Sequence, residues 1–263
     1  MEALLLSLLF ALFASFGVGI GFCMGFLVSL AYGSYYYDRS ERDGRRNWPA
    51  LRGSSLWAPV RGYFSFQTVG LEEKLEDRSR PVIYACRPHG LFAFSCLLAF
   101  AVNPKSRVRC GVHRLIFWVP LLSDLAVWLG AFDVTKENIE GMLERGESVA
   151  LVPGGAREMI PGVDPRSHRG FLRIAHEKGA PVVCVHFEGE QELFWTWRGL
   201  RDLRHAFADF MGYPFPSFFW GPLPRPLTTV AADQALDPAD YPDCDAFIKA
   251  YDMAMDRLCG KQW

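Results

Sequence analysis

The amino-acid sequence predicts an α/β domain, a sheet flanked by helices, with an N-terminal membrane-embedded helix or hairpin before it. The first part of the chain is long, apolar and uncharged. Three short apolar runs of strand character follow, and helical patterns separate them. We therefore expect a membrane-embedded segment over residues 1–37, a linker over 38–59 and one catalytic or binding domain over 60–263.

The N-terminal segment carries no charged residue between Glu2 and Asp38. A helix of about 20 residues crosses the hydrocarbon region of a bilayer, so this segment exceeds one minimal span and is short for two. Its central glycines permit either close helix packing or a re-entrant hairpin. A cleavable signal peptide and a buried core helix are the alternatives, and the length of the apolar run disfavours both. The arginines that follow place the rest of the chain on the cytoplasmic side.

The domain after the linker contains three predicted strands, Pro81–Cys86, Ser148–Val152 and Pro181–Phe187. Because each is a continuous apolar run, we expect a sheet that is covered on both faces. Helices are predicted over Thr135–Arg145, with Thr135 as N-cap, and over Arg169–Lys178, with Gly179 as C-cap. The apolar run over residues 92–102 is predicted as a buried helix, with the wall of an acyl channel as the alternative.

Composition excludes several classes of protein. The chain of 263 residues has a net charge of −1, which excludes a nucleic-acid binder because such a protein needs a basic surplus. The chain is also 50% hydrophobic, which is too apolar for a disordered protein. Seven cysteines without a CxxC pair predict neither a disulfide framework nor a zinc ribbon, and they favour a reducing compartment. The motifs of serine hydrolases, P-loop enzymes, dinucleotide-binding folds and zincins are absent from the sequence. We expect no metal and no cofactor, because the His-x-Glu at His186 lacks the cysteine pair of a zinc deaminase.

The loops after the predicted strands are where an α/β sheet binds ligands. One carries His89 and another carries Glu158. A histidine with a pKa near neutrality can take a proton from a hydroxyl, and a carboxylate can orient its ring, a combination that suits acyl transfer to an alcohol. The alternatives are a loop histidine satisfied by backbone groups and a solvated glutamate at a helix start. Cys86 and Cys96 flank His89 in sequence and are expected to be buried as small apolar side chains.

These motifs resemble, in order, those of the type 2 diacylglycerol acyltransferase family, which includes monoacylglycerol and wax-ester enzymes. Arg87–Gly90 resembles the family's His-Pro-His-Gly motif, and Pro153–Glu158 resembles its Gly-Gly-Ala-x-Glu block. His168–Ala175 and Phe187–Glu190 look like its Arg-x-Gly-Phe and Phe-Gly-Glu stretches, and residues 221–230 are similar to its C-terminal block. The resemblance covers roughly residues 57–230.

The resemblance implies a glycerolipid-acyltransferase-like sheet and a membrane-bound enzyme. Such an enzyme moves a fatty acyl group from acyl-CoA, its co-substrate, to the hydroxyl of diacylglycerol or a related neutral-lipid alcohol. It also implies a location in the endoplasmic reticulum membrane with the catalytic body facing the cytosol, the lipid-droplet surface being the alternative. His89 is then the catalytic base and Glu158 its acidic partner. The residues implied to bind substrate are Arg87, Pro88, Gly90, Gly154, Gly155, Arg157 and Arg169.

Two departures from the family pattern keep other functions open. Arg87 replaces the first histidine of the family motif with a permanent cation, which leaves a catalytically silent lipid-binding membrane protein as an alternative. The N-terminal hairpin usual in the family is compressed here into one interrupted segment. The nearest rival enzyme, a lysophospholipid acyltransferase, usually has an acid five positions after its histidine, where this chain has Phe94. The aromatic stretches over residues 194–197 and 213–220 are expected either in the core or at the level of lipid headgroups.

Overall fold

The computed structural model describes residues 17–27, 40, 44–76, 79–88, 90–119, 121–155, 168–196, 203 and 219–260. The chain divides into two compact units, Met1–Ser40 and Glu41–Trp263. In the first unit, residues 17–27 form a helix and are exposed. None of the helices in the described ranges combines the length and the apolar character that crossing a membrane requires. The predicted membrane-embedded segment stays a prediction, because most of it lies outside the described residues.

The second unit is built on a seven-stranded sheet in the order β1-β9-β6-β2-β5-β3-β4. The five strands from β6 to β4 run parallel, β9 runs antiparallel to β6, and β1 runs parallel to β9. Two further strands, β7 and β8, pair only with each other. The strands are β1 Gln67–Val69, β2 Ile83–Arg87, β3 Arg109–Val112, β4 Ala131–Asp133, β5 Val149–Leu151, β6 Val182–Glu188, β7 Trp195–Thr196, β8 Phe219–Trp220 and β9 Thr228–Ala231.

Helices connect the strands and cover the sheet. The α-helices are α1 Pro49–Arg52, α2 Ala58–Tyr63, α3 Glu72–Glu76, α4 Phe94–Cys96, α5 Leu122–Trp128, α6 Lys136–Glu144, α7 Gly170–Lys178 and α8 Cys244–Leu258. Short 3₁₀ turns span Ser55–Trp57, Arg114–Trp118, Glu190–Glu192 and Pro238–Asp240, and a π-helical turn spans Leu97–Ala101.

Local capping interactions fix the ends of two helices as the sequence predicts. The Thr135 hydroxyl accepts a hydrogen bond from the Asn138 N–H at 3.2 Å and starts α6. Gly179 adopts the left-handed conformation that ends α7, with φ of 63°. Both predicted helices are therefore confirmed.

The sheet is buried on both faces, as the continuous apolar runs predict. One core cluster contains Tyr84 and Cys86 of β2, and the other contains the alternating residues Ile83 and Ala85. Three predicted strands correspond to β2, β5 and β6, and the apolar run over residues 92–102 forms the buried α4 and its π-helical turn. The remaining strands were not predicted, because runs of two to four residues carry too little periodicity to be recognised.

The second half of the predicted linker contains short helical turns. Residues 49–58 form helical turns, and the Arg52 side chain is buried. Its guanidinium donates hydrogen bonds to the carbonyl oxygens of Phe100, Ala101 and Val108 at 2.8–3.0 Å. A buried guanidinium needs such acceptors, and here they join this stretch to the π-helical turn and to the residue before β3.

Candidate active site

The loops that carry the motifs leave one edge of the sheet together. Strand β2 lies between β5 and β6 and runs parallel to both, with Ala85 opposite Leu151 and Arg87 opposite His186. The segments that follow these strands are therefore neighbours at the carboxyl edge, the position at which open α/β sheets bind ligands. Three predicted site residues, His89, Arg157 and Glu158, lie outside the described residues. The structure places the backbone on either side of His89.

Arg87 ends β2 and is only 3% exposed. Strand alternation puts it on the same face as Ile83 and Ala85, which α7 and α8 cover. Because Arg87 is buried, a role beneath the loop is favoured over direct contact with a solvent-exposed part of the substrate. On the same face, burial lowers the pKa of His186. The charge of Glu188 and a hydrogen bond with the Arg87 backbone oppose this effect, and the charge of Arg87 adds to it.

Glu190 is a buried carboxylate directly beneath the His89 loop. It accepts hydrogen bonds from the N–H groups of Phe94 and Ser95, both at 2.8 Å, and from the Ser95 hydroxyl. These donors form the start of α4, where a helix favours a negative charge. Gly90 has φ of +56°, and a Cβ built on it would lie 2.7 Å from the Glu190 carbonyl oxygen. Glu190 thus lies against Gly90 through its backbone carbonyl and binds the start of α4 through its carboxylate.

Desolvation raises the pKa of Glu190 to about 7, and the three hydrogen bonds from Phe94 and Ser95 oppose this rise only in part. The sequence contains Glu190 within the Phe187–Glu190 motif but gives it no separate role. The only feature of the local sequence that points to Glu190 is its position directly after a strand and a glycine. At that position its carboxylate can lie beneath the edge of the sheet. Its partners lie 95 and 96 residues earlier in the chain, so the sequence does not show the contact.

The glycines after β5 form a tight turn. Gly154 is buried, and Gly155 has φ of +51°. The N–H of Gly155 donates to the Val152 carbonyl oxygen at 3.1 Å, so that donor is used inside the turn. The substrate-binding role implied for Gly154 stays a prediction.

Arg169 stands before α7 and forms an ion pair with Asp252 of α8, with Nη2 2.7 Å from Oδ2. The Arg169 side chain is partly exposed, so the pair does not seal it from water. Its implied role in substrate binding stays a prediction.

The cysteines near the site are buried thiols, as expected. Cys86 and Cys96 lie in one core cluster with Cys110, and the sulfur atoms of Cys96 and Cys110 are 4.0 Å apart. A hydrogen bond with Cys110 lowers the pKa of Cys96, but a hydrogen bond with Cys86 and burial outweigh it and raise this pKa well above its usual value. A protonated, buried thiol is a poor nucleophile. The seven cysteines, all in the described ranges, form no disulfide, and within those ranges no group of three metal-ligating side chains comes together.

The contact between Gly90 and Glu190 gives a direct prediction. We expect Gly90→Ala to destabilise the fold by about 2–4 kcal/mol, because it combines an unfavourable φ with a close backbone contact. Thermal unfolding together with acyl transfer measures the effect. Gly146→Ala is the matched control, because Gly146 has a φ of +75° but nothing within 4 Å of its added Cβ. Equal destabilisation by the two variants would show that the contact with Glu190 contributes nothing.

Comparison with known proteins extends what the geometry indicates. The family model for diacylglycerol acyltransferase matches residues 21–225, most of the chain. The human diacylglycerol O-acyltransferase 2-like protein 6 is 28% identical over 246 residues, which cover 79% of this chain and 71% of that protein. Diacylglycerol O-acyltransferase 2 of Dictyostelium discoideum is 29% identical, covering 61% of this chain and 53% of its own. The human acyl-CoA wax alcohol acyltransferase 2 is 26% identical, with coverage of 87% and 78%.

A solved structure shows a similar fold. The crystal structure of the 1-acyl-sn-glycerophosphate acyltransferase from Thermotoga maritima superposes with a TM-score of 0.53 at 14% identity, covering 78% of this chain and 76% of that one. The similarity supports the acyltransferase-like sheet that the motifs implied. Since the family model spans β1 to β8 and the loops of the carboxyl edge, the chain belongs to the diacylglycerol acyltransferase family and is an acyltransferase.

Proposed function

We propose that this protein is a membrane-bound, acyl-CoA-dependent O-acyltransferase that transfers a fatty acyl group to the hydroxyl of diacylglycerol or a related lipid alcohol. The observation that carries the proposal is the match of the diacylglycerol acyltransferase model over residues 21–225, which includes His89 and Glu158. The relatives named above act, by their names, on acylglycerol and wax-alcohol acceptors. The endoplasmic reticulum membrane is the proposed location, with the catalytic body facing the cytosol.

In the proposed reaction, His89 acts as general base. It takes the proton of the acceptor hydroxyl while that oxygen attacks the thioester carbonyl carbon of acyl-CoA. The new C–O bond forms a tetrahedral intermediate whose negative oxygen the N–H of Gly154 stabilises. When the C–S bond breaks, the protonated His89 returns its proton to the CoA thiolate. The reaction needs no acyl-enzyme, no metal and no cofactor.

The other site residues support this step. Glu158 orients the second ring nitrogen of His89 and stabilises the imidazolium. Arg157 and Arg169 bind the phosphates of CoA, for which a guanidinium is well suited. The turns at Pro88, Gly90 and Gly155 bring backbone close to the reacting groups. Arg87 acts from beneath the loop. Its buried positive charge disfavours the protonated form of His89.

The test uses microsomes from a host that lacks neutral-lipid synthesis. The full chain is supplied with labelled oleoyl-CoA and, in separate assays, with diacylglycerol, monoacylglycerol, hexadecanol or lysophosphatidate. We expect label in triacylglycerol, diacylglycerol or wax ester, which also names the acceptor. Label in phosphatidate alone would assign the enzyme to glycerophospholipid synthesis, and no labelled product from folded protein would contradict the proposal.

A further inference from the structure

A thiol and an imidazole meet where α8 covers the sheet. The Sγ atom of Cys259 lies 3.3 Å from Nδ1 of His186. His186 is half-buried near the carboxyl end of β6, and Cys259, the residue that follows α8, is only 6% exposed. The contact joins the end of α8 to the edge of the sheet from which the motif loops leave.

The same imidazole reaches the last residue of β2. In the parallel pair of β2 and β6, Arg87 lies opposite His186, so their side chains leave the sheet on the same face. His186 also forms a hydrogen bond with the Arg87 backbone. Because the His89 loop begins immediately after Arg87, this bond holds the chain close to the proposed base in sequence.

The protonation state of the ring decides which of its atoms donates. Burial lowers the pKa of His186, against the opposing effects of the Glu188 charge and of the bond to the Arg87 backbone. The ring is therefore neutral near neutral pH, so that one nitrogen donates a hydrogen bond and the other accepts one. A buried thiol keeps its proton and acts as a donor. If it donates to Nδ1, the ring proton lies on Nε2, from which a carbonyl oxygen can accept it.

We propose that His186 is a positioning residue for acyl transfer. Its Nδ1 accepts a hydrogen bond from the Cys259 thiol, and its Nε2–H donates to the Arg87 carbonyl oxygen, which fixes the end of β2 from which the His89 loop starts. This inference rests on the proposed function, because it gives His186 an effect on catalysis only through His89.

The position of His186 complements that of Glu190. Glu190 follows the same strand and binds the start of α4, where the His89 loop ends. The stretch that includes the end of β6 and the turn after it therefore holds the loop at both ends, His186 at its start and Glu190 at its finish. A loop fixed in this way keeps a general base in one place relative to its substrate, and such positioning contributes strongly to rate.

The first test is His186→Phe in the full chain, which keeps a ring of similar size but removes both nitrogens. We expect kcat to fall about 10- to 100-fold with KM for oleoyl-CoA unchanged, because a displaced base slows the reaction without weakening substrate binding. His186→Gln recovers most of the lost rate, because its amide N–H can replace the donor at Nε2. A merely structural role would not separate kcat from KM.

The matched control is His176→Phe, in α7. His176 is also half-buried, with its ring 6.2 Å from the ring of Phe247 in α8. We expect this variant to change neither kcat nor KM. Unchanged kcat in His186→Phe, a loss confined to KM, or a glutamine variant no faster than the phenylalanine variant would overturn the proposal.

Nitrogen NMR of the unmodified chain gives a second measurement that does not depend on the folding of any phenylalanine variant. The chain is labelled at its histidine ring nitrogens and held in detergent micelles, and the His186 signals are assigned by their loss in His186→Gln. We expect the pattern of a neutral ring with its proton on Nε2. A proton on Nδ1 of His186 would contradict the proposed pair of hydrogen bonds.

The two measurements separate this inference from the proposed function. If the unmodified chain transfers no acyl group, the proposed reaction fails, while the NMR pattern still decides whether the two hydrogen bonds exist. If the unmodified chain transfers acyl groups and His186→Phe does so equally well, the proposed function stands and the positioning role of His186 fails.

Discussion

His89→Ala is expected to reduce acyl transfer by about 10²–10⁴-fold, the usual contribution of a general base. Without an acceptor for its proton, the alcohol must attack the thioester as a neutral hydroxyl. The measurement is the rate of label transfer from oleoyl-CoA to the best acceptor in microsomes. The prediction rests on the Arg87–Gly90 motif and on the position of that motif at the carboxyl edge.

The control for this variant is His176→Ala. His176 lies in α7, with its ring 6.2 Å from the ring of Phe247, and belongs to none of the motif loops. We expect it to leave transfer unchanged. If His89→Ala keeps most of its activity while its thermal midpoint and membrane-bound fraction match those of the unmodified protein, another group must act as base.

Glu190→Gln is expected to lower acyl transfer about 100-fold, because small displacements of a catalytic loop cost that much. The glutamine oxygen can accept from only part of the donor set at Phe94 and Ser95, and its amide group turns a donor toward a donor. The start of α4 then loses its support, and the loop that leads into it from Gly90 is displaced. Glu192→Gln is the matched control, since Glu192 lies two residues further along and is exposed. Equal activity of the two variants would show that Glu190 does not position the loop.

The pH dependence of stability provides a readout of the same carboxyl group. Because the pKa of Glu190 is raised from its ordinary value of 4.5 to about 7 in the folded protein, the native state holds a proton that the unfolded state has lost between these values. Its contribution to stability is present below the lower value and is lost as pH rises through the upper one, by about 3 kcal/mol in all. We expect the thermal midpoint of the unmodified protein to fall relative to that of Glu190→Gln between about pH 4 and about pH 8, values chosen to bracket this window. Parallel curves would contradict the raised pKa.

The buried strands were predictable because their signal is local. β2, β5 and β6 are continuous apolar runs that end at proline or glycine, and burial on both faces leaves no other pattern possible for a short strand. The short strands β3 and β4 escaped prediction, because pairing with neighbours rather than their own sequence makes them strands.

The candidate site was predictable only as a set of motifs. The order of the motif loops along the chain identifies the family, yet it does not show which loop lies beside which. Glu190 illustrates the difference: its carboxylate binds the start of α4, 95 residues away in sequence, and only the pairing of β2 with β6 brings the two together. A role for Glu190 could not be inferred before that contact was known.

By itself, the sequence determined the three central strands, the caps of α6 and α7 and the family to which the chain belongs. Each of these depends on residues that are neighbours in sequence or on the order of the motifs, and both can be recognised in the sequence alone. The tertiary structure alone decided that Glu190 supports the start of α4 and that Arg87 is buried beneath the loop. These features follow from contacts between residues far apart in sequence, and such contacts exist only once the sheet has set which elements are neighbours.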